Sequence, residues 1–148
     1  MVAVEQEWPL RRWKAAFPAD VTAIPMARRV VRSKLGEWGW GSDSERVHDV
    51  LLVFAELTTN AIRHASKPGD IVRVLIDETG GYCRIEVRDS RPDLPLLKVR
   101  AGGSDEHGRG LLLVQSLAYA MGEELAATTK KVWASVRVAD DLARARCL

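Results

Sequence analysis

A two-layer α+β sandwich is the fold class this sequence predicts, with a mainly antiparallel, mixed sheet covered by helices on one face. Three observations predict it. Two pairs of strand-like segments are each joined by a short turn, which implies antiparallel hairpins. Two stretches with helical spacing of apolar residues precede the first pair, and a third separates the pairs. The chain has 148 residues, the size of one domain, and is read as a single unit over 1–148 with its core at about 17–138.

The elements follow in order. "RRWKAAF" can form a short strand before Pro18. A helix is expected from about Ala23 to Trp38, with Pro25 in its first turn, where a missing N–H costs nothing, and Gly39 and Gly41 ending it. The second helix is longer, with Ser42 or Ser44 as N-cap. Its core stripe is Val47, Leu51, Phe54, Thr58, Ala61 and Ile62, and "SKPGD" breaks it. "IVRVLIDE" and "YCRIEVRD" follow, linked by "TGG". A Gly- and Pro-rich loop from Ser90 to His107 is long for a compact domain, and such loops are often lids. "GRGLLLVQSLAYAM" reads as a buried helix, "EELAATT" and "KKVWASVRV" as a second hairpin, and "ADDLARARCL" as a polar tail.

Composition excludes several classes. With 47% hydrophobic and 28% charged residues the chain reads as globular. A net charge of +2, with no long basic run, argues against direct nucleic-acid binding. No segment has the length of a signal peptide or a membrane span, so the expected location is the cytoplasm with no membrane partner. Cys83 and Cys147 make neither a disulfide framework nor a metal cluster. Trp8, Trp13, Trp38 and Trp40 crowd one end of the chain, where they can build a homodimer surface or pack into the core.

Three features carry chemistry. Glu56 and Asn60 are four residues apart, so they share a helix face, which a helical wheel puts roughly opposite the Val47–Leu51–Phe54 stripe. That face is either solvated or a source of hard oxygen ligands for Mg²⁺ and of a carboxylate able to take a proton. Strand parity puts Cys83, Ile85 and Val87 on the core side of their strand, with Asp89 on the same side at its end; Tyr82, Arg84, Glu86 and Arg88 face water. An inward acid either caps a turn or accepts a hydrogen bond from a ligand such as the exocyclic amine of adenine. Gly108 and Gly110 stand before a helix, either in a plain turn or where the backbone can approach phosphates at the positive helix end. There is no G-x-G-x-x-G after a parallel strand and no Walker lysine.

In this order, "ELTTNAIRHA … VRDSRP … EHGRGLLLV … KVWASV" resembles the GHKL (Bergerat) nucleotide-binding fold of gyrases, heat-shock chaperones, histidine kinases and mismatch-repair ATPases. Within it the short form is similar to the anti-sigma-factor serine/threonine kinases. The resemblance covers roughly Phe17 to Val138. It implies ATP or ADP with Mg²⁺ as cofactors, and a sigma factor and an anti-anti-sigma protein as partners. It implies Asn60 as the Mg²⁺ ligand, Glu56 as catalytic base, Asp89 on the adenine amine, and Gly108, Arg109 and Gly110 against the phosphates. Two departures stand out: Asp89-Ser90-Arg91 replaces the usual Asp-x-Gly, and Lys131 aligns with a Thr that the family places beside adenine. His64 either approaches the phosphates or complements the negative helix end. The resemblance thus implies a regulator that sequesters a sigma factor and phosphorylates its antagonist; the two departures motivate the alternative, a nucleotide-dependent or nucleotide-independent protein-binding switch with no kinase turnover.

Overall fold

Alternating burial along the strands builds this fold, as seen in a computed structural model that describes residues 11–41, 44–65, 67, 69–90 and 106–138. The strands are β1 (Arg11–Pro18), β2 (Ile71–Thr79), β3 (Tyr82–Asp89), β4 (Ala120–Leu125) and β5 (Lys130–Arg137). They form one sheet in the order β1-β2-β3-β5-β4. All four pairings are antiparallel, so the expected mixed sheet has no parallel pair among the described strands. The β2–β3 hairpin turns on Gly80 and Gly81, both at positive φ (57° and 84°), the conformation this tight turn requires and glycine adopts without strain.

Among the described residues three α-helices accompany the sheet: α1 (Ile24–Glu37), α2 (Glu45–Ala65) and α3 (Glu106–Leu117). α1 follows a short 3₁₀ turn at Val21–Ala23, and Pro25 sits in its first turn as expected. It ends in a Schellman arrangement, with Trp40 N donating to Leu35 O and Gly39 N to Gly36 O. Ser44 caps α2: its Oγ accepts from Arg46 N at 3.1 Å and Val47 N at 3.4 Å. Ser42 lies outside the described residues.

α2 is the central pillar. It packs on β3 and β5 and is flanked by α1 and α3. Its stripe of Val47, Leu51, Phe54, Thr58, Ala61 and Ile62 is buried throughout, as its spacing predicts. Phe54 is fully buried, and truncating such a side chain costs about 3–5 kcal/mol. From the sheet side the core receives Val72, Val74, Ile76, Ile85, Val87 and Ala134. Trp40 is buried, and Trp13 and Trp38 pack against the core, so these three tryptophans serve packing. Trp8 lies outside the described residues.

Two boundaries differ from the sequence expectation. The last helix ends at Leu117, and Ala120 and Met121 already belong to β4. The helix is also not buried all round: Leu111 and Val114 are buried, whereas Leu112 is exposed. An apolar run of this kind is shared between a one-sided helix and a strand, and periodicity alone does not divide it.

Candidate functional site

α2 presents Glu56 and Asn60 one turn apart, and α3 packs on α2 with its Gly110 against Glu56. The helical wheel put this pair opposite the core stripe, but Asn60 is only 4% exposed and Glu56 is half-buried. The polar face is therefore a second packing surface rather than a solvated one. The Asn60 side-chain nitrogen Nδ2 is buried with no hydrogen-bond partner among the described residues. A buried amide donor left unsatisfied costs about 1–3 kcal/mol, so such a group calls for an explanation.

The glycine pair is not ahead of a helix but inside one. α3 starts at Glu106, so Gly108 and Gly110 are its third and fifth residues. Gly110 packs directly on α2: a Cβ built on it would stand 2.3 Å from Glu56 Oε2 and 3.3 Å from Glu56 Cδ. Any larger residue would push the carboxylate aside. Glycine there brings Glu56 to the N-terminal part of α3, where unsatisfied N–H groups and the positive dipole end favour anions. Arg109 occupies the same first turns; its side chain, and those of His107 and His64, lie outside the described residues, as do residues 91–105, including Arg91.

Asp89 points inward from the end of β3, as parity predicts, and is 4% exposed. Directly opposite it in the β3–β5 ladder stands Lys130, itself 2% exposed. Lys130 Nζ lies 3.5 Å from Asp89 Oδ2, and both side chains are out of solvent. The lysine beside Asp89 is therefore Lys130, not Lys131. Lys131 faces the other side of the sheet and pairs with Glu124 at 3.0 Å, which holds the exposed Glu124 carboxyl below its ordinary range. The signal that identifies Lys130 was in the sequence: Val132, Ala134 and Val136 face the core, and parity carries Lys130 with them.

The opposite face of the sheet is not simply solvated either. Glu86 is 7% exposed and is held by Arg84 at 2.9 Å; Arg84 also lies 4.4 Å over the Trp133 ring. Asp77 is buried beside Arg12 at 3.6 Å; its burial raises the carboxyl above the ordinary 3.8, and Arg12 and Arg84 pull it back. Cys83 is fully buried and its thiol is pushed far up by desolvation, which makes it inert. A groove of about 620 Å³ on this face is bounded by Lys14, Arg73, Arg88 and Lys131, and contains none of Glu56, Asn60 or Asp89.

Among the described residues no cluster of three or more His, Cys, Asp or Glu could hold a metal alone. A Mg²⁺ ion at Asn60 would need further oxygens from a ligand, as phosphates supply. The Asn60 orphan donor and the Gly110 cradle fit an absent polyphosphate group. The base end fits less simply, because the Asp89 carboxylate already faces an ammonium. No described helix is long and apolar enough to cross a membrane.

A family model and one solved structure agree with the fold. The family model described as histidine kinase-like ATPase domain matches residues 17–137. No curated protein matches the chain by sequence. The crystal structure of the RsbU and RsbW domains of Rv1364c from Mycobacterium tuberculosis is similar over 88% of this chain, with TM-score 0.64 and 19% identity. The match covers 33% of that longer chain. The histidine kinase domain of a blue-light activated histidine kinase from Erythrobacter litoralis EL346 aligns over 84% of this chain and 63% of its own, with TM-score 0.49 and 16% identity.

Proposed function

The chain belongs to the histidine kinase-like ATPase domain family, and from that premise we propose that it is an ATP-binding regulator of the anti-sigma type. It sequesters a sigma factor and transfers phosphate to a serine of an anti-anti-sigma partner. The observation that carries this reading is the contact of Gly110 with Glu56, one turn from the orphaned Asn60 amide. Bound Mg-ATP supplies the transferable phosphoryl group and the cation that neutralises its charge.

The residues divide the work. Asn60 would hold the Mg²⁺ ion through its side-chain oxygen Oδ1, which leaves Nδ2, without a partner among the described residues, to donate to a phosphate oxygen. The N-terminal turns of α3, with Gly108, Arg109 and Gly110, hold phosphate oxygens by backbone N–H groups. Glu56 sits at that helix end and takes the proton from the attacking serine hydroxyl. The proton leaves oxygen as that oxygen bonds to the γ-phosphorus and the bond to the bridging β-phosphate oxygen breaks, with ADP as leaving group. Asp89 marks the base end of the site. Water is kept from Asn60 by its burial, at 4% exposure.

A second reading has one observation in its favour: Lys130 on Asp89 alters the base end. In that reading nucleotide switches partner affinity and no phosphate moves. Incubation with Mg-[γ-³²P]ATP and the cognate antagonist separates the two. The kinase reading expects phosphoserine with the wild type, and transfer slowed by roughly 10²–10⁴-fold in Glu56→Ala, the usual contribution of a positioned base. Transfer by Glu56→Ala at the wild-type rate would remove Glu56 from the mechanism. Stoichiometric partner binding with no phosphate moved over hours would leave the switch.

A further inference from the structure

Lys130 and Asp89 form a charge pair in the one place where the proposed nucleotide site would read its base. The two residues face each other across the β3–β5 ladder, both on the core side of the sheet. Their charged atoms are 3.5 Å apart, and their side chains are 2% and 1% exposed. A pair so deeply buried is not a solvated surface contact that a ligand can brush aside. The exocyclic amine of adenine is a neutral donor, and it cannot replace the full positive charge that an ionised, desolvated carboxylate requires.

We infer that Lys130 is a built-in occupant of the base subsite: its ammonium takes the place on Asp89 that a nucleobase amine would take. The inference rests on the proposed nucleotide-binding reading and deepens it by naming the specificity. Affinity then resides in the polyphosphate and Mg²⁺, held at Asn60 and the start of α3, and the chain binds nucleoside triphosphates without selecting the base. The alternation of β5 makes the device specific to one position. Lys131, its neighbour, points to the other face and engages Glu124 instead.

Calorimetric titration with three magnesium complexes tests this: ATP, GTP, and purine riboside triphosphate, which lacks the exocyclic amine. Wild type is expected to bind all three within about threefold of one another, since no base atom is read. Lys130→Thr frees the carboxylate, and is expected to gain about tenfold or more for ATP and to prefer it over purine riboside triphosphate by a similar factor, the value of a hydrogen bond to a charged group. Lys130→Thr/Asp89→Ala should lose that preference. Should Lys130→Thr not fold, as circular dichroism reports, the uncharged Asp89→Asn/Lys130→Thr pair is read in the same way, because the Asn carbonyl still accepts an amine.

The outcomes separate the inference from the reading beneath it. A wild-type preference for ATP of about tenfold over the amine-free analogue would overturn the inference and leave nucleotide binding standing. A similar preference for GTP would also overturn it, because the Asp89–Lys130 pair would then be reading a carbonyl and an N–H together. Silence of the wild type with ATP binding by the variant would uphold Lys130 as occupant of the base subsite, overturn base-blind binding, and remove nucleotide from the wild-type function. Silence of every folded form would remove both.

Discussion

The two ends of the candidate site are built on opposite principles. On α2, a buried amide donor of Asn60 has no partner among the described residues, and a missing side chain at Gly110 of α3 leaves room for Glu56. Between β3 and β5, the buried Asp89 carboxylate already has a cation against it, on the facing rung of the ladder. One end carries an amide donor that no described group meets. At the other, the charge of a buried carboxylate is balanced by an ammonium 3.5 Å away, at ion-pair distance and with no hydrogen bond to Oδ2 among the described residues. Unmet capacity costs stability and is kept where a ligand meets it; internal neutralisation protects the fold and closes a subsite. Stability and binding should therefore respond in opposite ways when the two ends are mutated.

The largest effect is expected at the neutralised end. Lys130→Met removes the ammonium and strands a carboxylate in the core, which should cost about 3–5 kcal/mol in urea unfolding. The double change Asp89→Leu/Lys130→Met removes both charges, and such replacements are often neutral, so it should recover to within about 1 kcal/mol of the wild type. A single variant that loses less than about 1 kcal/mol would break the comparison, because the remaining contacts of Asp89 would then suffice without the lysine.

These two residues also show how far the sequence could be read. Parity alone brought Asp89 to the core side of β3, and the same rule applied to "KKVWASVRV" brings Lys130 there and Lys131 out. What parity does not supply is the register between β3 and β5, which pairs Asp89 with Lys130, because register is set by the packing of whole strands. Helical spacing likewise found the α2 stripe and the Glu56–Asn60 pair. It could not reveal that Asn60 on the face opposite the stripe is buried and Glu56 half-buried, since that depends on how other elements pack on α2. Gly108 and Gly110 read as a turn because glycine is a poor helix former; the contact that explains Gly110 is tertiary.

At the unsatisfied end the sign should invert. Asn60→Leu has similar volume and removes the orphaned donor, so unfolding should show a gain of about 1 kcal/mol, the lower end of the cost of an unsatisfied buried group. The same variant should lose Mg-dependent nucleotide binding. Stability gained where function is lost is the mark of a site kept at a cost. A variant destabilised by about 1 kcal/mol or more would mean the amide is already serving the fold, and the two ends would no longer differ in kind.

The smallest change in stability, and the sharpest separation from function, is expected at Gly110. Alanine is favoured over glycine inside a helix by about 1 kcal/mol. The added methyl meets only the far end of the Glu56 side chain, which can rotate away at modest cost. These two terms oppose each other and are of similar size, so Gly110→Ala should unfold within about 1 kcal/mol of the wild type. Glu56 must nevertheless move, since no rotation of the methyl relieves a 2.3 Å approach to Oε2. Displacing a positioned base by about 1 Å can cost on the order of 10²-fold in rate, so phosphate transfer to the antagonist should fall by about that factor. Transfer at the wild-type rate would show that Glu56 does not act from the position Gly110 gives it. A matched loss of rate and stability would make Gly110 a packing residue only.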